Sequence, residues 1–162
     1  MATQTYIALA TTTLSSTTDT VSFQSIASTY RDLVVVVAGT TSNVTNIIIR
    51  LNNDSGSNYS FVDAYGNGST ASSASSSSTS EPEVGRFATS QSTTIAQIMD
   101  YSATDKHKTI LGRGDANGIV RTKMSATRWA STAAVNRVDV ISRPTGRPFS
   151  VGTTLSLYGI EA

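Results

Sequence analysis

One histidine, eleven carboxylates and no cysteine are the inventory from which this 162-residue chain would have to build any chemistry. A Ser–His–Asp arrangement could use only His107, and its neighbours Lys106 and Lys108 make that position read as a basic surface turn at the start of a strand. Zinc takes three or four ligands, and one histidine without a cysteine cannot build the usual sites. Glu81 and Glu83 flank Pro82 just after a serine run. That setting offers neither the rigid support nor the raised pKa that a glycosidase acid needs. Asn52-Asn53-Asp54-Ser55-Gly56 has the composition of a calcium loop without its alternate spacing or its terminal Glu, so it reads as a turn. Gly112-Arg113-Gly114-Asp115 carries neither the Lys-Ser/Thr of a phosphate loop nor a following helical pattern. The residues therefore point away from an enzyme, and to no cofactor and no metal.

Binding is the remaining kind of function. The net charge is +1, unevenly spread. Residues 1–105 hold three Arg against eight acids, which is −5, and residues 106–162 hold nine Lys and Arg against three acids, which is +6. The bases lie scattered rather than in a block, so interleaving of the two halves in one pair of sheets would mix their charges. A nucleic-acid surface combines a basic patch with stacking aromatics; Arg128-Trp129 with Arg137, Arg143 and Arg147 are the only candidates, and a pI near 8.0 is below the usual range for such domains, so no nucleic-acid partner is expected. Arg outnumbers Lys nine to three. Arginine with tryptophan suits protein interfaces. The candidate protein interface is therefore Arg128 and Trp129 with Arg137, Arg143 and Arg147, the competing role for Trp129 being a plug at the end of the core. No run approaches the ~18 apolar residues of a membrane helix. Met1–Ala10 lacks a basic segment followed by an apolar one, so no signal peptide and no membrane partner are expected.

The elements that would position these residues read as strands. Ser and Thr together number 50, and they, with Val and Ile, favour pleated backbone over helix. Strands are predicted over 3–9, 20–26, 33–38, 46–51, 59–65, 93–99, 108–112, 119–124, 135–141 and 153–160. The run Leu33–Ala38 is too apolar for a surface strand and should be central, covered on both faces. Ile47, Ile49 and Leu51 fall on one face, with Ile48 and Arg50 on the other. The strands at 46–51 and 59–65 look like a hairpin with a wide connection. Residues 66–83 open with GNGSTASSASSSSTS, which has no side chain large enough to anchor a core, and read as a surface loop. Gly112 to Gly118 reads as a glycine-rich turn, and Arg143-Pro144-Thr145-Gly146-Arg147-Pro148 as another. Phe149, Val151, Leu155 and Leu157 should share one face of the last strand. About ten short strands in one domain, residues 1–162, predict an all-β fold: an antiparallel two-sheet β-sandwich of four to five strands each, jelly-roll-like.

Three segments carry a family resemblance. Residues 20–35, TVSFQSIASTYRDLVV, then Ile49-Arg50-Leu51-Asn52 and Gly56-Ser57-Asn58-Tyr59-Ser60, and finally Ser156-Leu157-Tyr158-Gly159-Ile160, stand in this order. In sequence and order they resemble small virion structural proteins of tailed phages, common in phages of cyanobacteria. The resemblance covers about residues 20–65 and 150–162, and the Ser-rich segment has no counterpart in it. It implies a jelly-roll protein of the virion, assembled in the host cytoplasm. It further implies a homotrimer acting as a decoration (cement) protein on the major capsid protein. The alternative is a tail fibre, knob or other appendage binding tail proteins or a host glycan. It carries over no catalytic residue. Within it, Tyr30 and Leu33 should pack down while Arg31 and Asp32 stay wet.

Overall fold

The computed structural model describes residues 5–117 and 121–161, and every regular element among them is a strand. In chain order these are β1 (Tyr6–Thr13), β2 (Thr20–Phe23), β3 (Asp32–Gly39), β4 (Thr45–Leu51), β5 (Tyr59–Gly66), β6 (Ala71–Thr79), β7 (Glu83–Phe87), β8 (Ser92–Met99), β9 (Lys108–Ala116), β10 (Arg121–Trp129), β11 (Val138–Arg143) and β12 (Thr154–Ile160). Eight form one antiparallel sheet in the order β1-β12-β3-β8-β9-β10-β5-β6, and four form a second in the order β2-β11-β4-β7. The two sheets pack as a β-sandwich. Leu33, Val35 and Val37 of β3 join Ile47, Ile49 and Leu51 of β4 in one buried cluster between them. This is the period-2 burial that β-branched runs favour. Val34, on the other face of β3, is also buried, and Val36 is half-buried. The starts of the strands predicted at 3 and 119, and Gly118, lie outside the described residues.

The sheets divide unequally, eight to four rather than four or five each, because the β8-β9-β10 meander and the β5-β6 hairpin all extend one sheet. The segments 46–51 and 59–65 are strands, but not a hairpin: β4 lies in the smaller sheet and β5 in the larger. Asn52 and Asn53, with φ of 52° and 58°, turn the chain from one sheet toward the other. Asn52 fixes that corner, its Oδ1 accepting from the N–H of Asn136 (3.0 Å) and its Nδ2 donating to the Ala134 carbonyl (2.8 Å).

The Ser-rich segment is not a loop throughout. Asn67 Oδ1 accepts from the N–H groups of Ser69 and Thr70, Gly68 takes φ 86°, and β6 then runs back along β5. Its side chains put nothing into the core; the backbone ladder holds it, with an added bond from Ser78 Oγ to the Ser57 carbonyl at 3.1 Å. The predicted glycine turn is likewise a strand, since β9 continues to Ala116. A Cβ on Gly112 would stand 2.4 Å from the Val84 carbonyl oxygen and 2.5 Å from Ser125 Oγ, and one on Gly114 2.5 Å from Thr94 Oγ1. Gly112 lets β7 lie close over the larger sheet and Gly114 makes room for the Thr94 side chain of β8; neither bends the chain. At the last strand, Gly152 (φ 85°) makes a turn that leaves Val151 exposed, while Leu155 and Leu157 point inward. Asp32 is buried rather than wet, because its carboxylate accepts from Gln97 Nε2 (2.8 Å) and from the Asp100 N–H (2.9 Å).

Candidate interface on the outer face of the larger sheet

The five residues proposed as an interface do not form one surface. Trp129 is buried at the end of the core, its ring stacked on Tyr59 with centroids 6.4 Å apart and its Nε1–H donating to Asp54 Oδ2 at 2.7 Å. Arg128 is exposed on the outer face of β10. The other three are internal ties of the smaller sheet and its turns. Arg137 Nε donates to both oxygens of Asp139 at 2.9 and 3.0 Å, Arg143 Nε lies 3.7 Å from Glu81, and Arg147 donates to the Val44 carbonyl. Their arginine chemistry is spent within the chain.

The corner that holds Trp129 contains a carboxylate, Asp54, whose ionised form its neighbours favour. Burial acts to raise the Asp54 pKa, but hydrogen bonds from Trp129, Asn58 and Gly56 outweigh it and hold it below 3.8. A carboxylate with a lowered folded-state pKa contributes stability above its unfolded value, and that stability disappears as pH falls through the folded one. The thermal midpoint followed by Trp129 fluorescence should therefore drop once the pH falls below about 4. Asp54→Asn should lower the midpoint at neutral pH and flatten that acid limb. An acid limb unchanged in the variant would contradict the assignment.

A different surface emerges where β5, β9 and β10 run side by side. Their register places Leu111, Ala126 and Val62 in one row across the sheet, and Arg113, Met124 and Ala64 in the next. Toward β3 the rows continue through Gln97 to Val34 and through Ile95 to Val36. All these side chains stand on the face turned away from the smaller sheet. Val62 and Met124 are 62% and 63% exposed, and Leu111 is 43%. They line a groove that Val34, Ile95 and Tyr6 complete.

The opposite face of the same strands carries charge into the interior. Lys123 is 4% exposed. Its Nζ reaches Asp63 Oδ2 at 2.8 Å and Glu83 Oε2 at 2.5 Å, and Asn46 Nδ2 donates to the other Glu83 oxygen at 2.6 Å. Ser125, Thr127 and Thr94 lie inward with them. Around Lys123 the usual polarity is locally inverted, with ions and hydroxyls inside and Val62, Leu111 and Met124 outside, while Tyr59, Ile110 and Trp129 of the same strands remain in the core. A slip of one residue would exchange the two faces, so the arrangement is fixed by the whole register.

Sequence reasoning missed this surface. The signal was the alternation Phe61-Val62-Asp63-Ala64 and Lys123-Met124-Ser125-Ala126. Alternation defines two faces but not which is inward, and the apolar face is by default assigned to the core. Among the described residues, no cluster of three or more His or carboxylate side chains could hold a metal ion. No helix is long and apolar enough to cross a membrane. No protein-family model, no curated protein and no solved structure matches the chain.

Proposed function

We propose that this chain is a structural protein of a tailed-phage virion, a decoration protein that seats on the assembled head as a homotrimer and performs no catalysis. The observation that carries the reading is the locally inverted polarity of the larger sheet: exposed Val62, Leu111 and Met124 over a buried ionic cluster are suited to burial in an assembly. The resemblance of residues 20–65 and 150–162 to such virion proteins supports the setting. The mechanism is mass action. A protein that binds the assembled lattice and not its free subunits stabilises the lattice by its binding free energy. The major capsid protein is the partner, met through the groove lined by Val62, Leu111 and Met124.

Quantitative mass spectrometry of purified particles of the phage that encodes this chain tests the placement. The expected result is a copy number comparable to that of the major capsid protein. A handful of copies, as for a tail fibre or knob, or absence from clean particles, would contradict it.

A further inference from the structure

We infer that copies of this chain join head to tail through the two ends of the larger sheet, the open edge of β6 pairing with the open edge of β1 in a second copy. β6 and β1 are the terminal strands of that sheet. Each therefore presents a row of backbone N–H and C=O groups on its outer side. Among the described residues, no backbone hydrogen bond beyond the ladder with β5 reaches 71–79, and those of β1 outside its ladder with β12 lie at its ends, at Thr5 and Leu14.

Monomeric proteins protect such edges with lysine, proline, inward charge or very short strands. Neither strand carries any of these: β1 is YIALATTT and β6 is ASSASSSST, eight and nine residues without a charge or a proline. Each is interrupted by a single bulge, at Leu9 in β1 and between Ser76 and Thr79 in β6, with regular ladder elsewhere. β6 is also exposed on both of its faces, with no buried side chain. A strand that buries no side chain is held mainly by its one ladder, and a second ladder is the stabilisation open to it.

The partner strand follows from side-chain size. Pairing β6 with a second β6 would set serine against serine across the joint, with no side chain large enough to pack. β1 brings Tyr6 and Ile7, which can lie over the small residues of β6. A head-to-tail contact of this kind closes into a ring when its rotation permits, and a ring of three is the trimer of the proposed function. The trimer number rests on that reading; the edge pairing does not.

Sedimentation velocity over a concentration series, on the unmodified chain and three variants, tests this. Ser73→Glu with Ser75→Glu should weaken association by about tenfold or more, and Ala10→Lys with Thr12→Lys should do the same. All four positions are exposed, so the thermal midpoints should stay close to that of the unmodified chain. The chain carrying all four substitutions should regain association, because acidic and basic edges now face each other across the joint. An unmodified chain that stays monomeric throughout would overturn the inference. So would sensitivity to the β6 substitutions with indifference to those in β1, which is the signature of β6 pairing with itself, or indifference to both. None of these results depends on where the protein sits in a virion.

Discussion

Replacing Lys123 with Ala should lower folding stability by about 3–5 kcal/mol, because it removes the cation from a buried ionic cluster and leaves the acids in place. Lys123 and Asp63 are 4% and 2% exposed, so neither is stabilised by bulk water. Glu83 is half-buried on the opposite sheet, and through Lys123 it ties β7 to β10 and β5. For a chain of this length the loss corresponds to a fall of roughly 6–20 °C in the melting midpoint. The double variant Lys123→Met with Asp63→Leu should recover part of it, since a buried pair replaced by apolar groups of similar volume is often close to neutral, and the half-buried Glu83 keeps Asn46 as a partner. Calorimetry of the single and double variants checks both statements. A Lys123→Ala midpoint within a degree or two of the unmodified chain would contradict the buried network.

Trp129→Ala should be of similar size, about 3–5 kcal/mol, for a different reason. The ring is 3% exposed and stacked on Tyr59, and its removal leaves a cavity at the end of the core next to two polar anchors. One is Asp54, which loses the indole donor. The other is the Tyr59 hydroxyl, which accepts from the Leu51 N–H at 3.0 Å and is held neutral by its burial. Trp129→Phe separates the two contributions: it keeps most of the ring contact, and should cost about 1–3 kcal/mol through the lost hydrogen bond to a carboxylate. Chemical denaturation of both variants measures the split, and equal losses in the two would contradict the packing term.

The class of the fold was legible in the chain, as were the faces of individual strands. Val35 and Val37 were placed in the core by their apolar run, and Ile47, Ile49 and Leu51 by alternation, and all five lie there. The assignment of strands to sheets was not, because register and partner choice depend on contacts far apart in sequence. β4 and β5 are seven residues apart and belong to different layers. The serine strand was hidden for another reason. Its side chains carry no apolar pattern, and it forms because β5 offers a backbone edge and Asn67 closes the turn. Gly112 and Gly114 misled because a Gly-x-Gly run suggests a bend. In a strand the same spacing puts both glycines on one face, where a neighbouring sheet can approach. At the interface, three of the four arginines singled out by type, Arg137, Arg143 and Arg147, are tied within the chain. The exposed Val62, Leu111 and Met124 were unremarkable by type and become visible only when register places them outward together.

The central claim is that this outward apolar face seats the chain on an assembled head. It is tested most directly by co-sedimentation with expanded heads that lack the protein. The unmodified chain should bind saturably, with the number of sites set by the lattice. Leu111→Lys with Met124→Lys should keep its folded stability to within about 0.5 kcal/mol, since both positions are exposed, and should lose at least about tenfold in affinity. Binding unaffected by the two lysines, or no binding by the unmodified chain, would contradict the account.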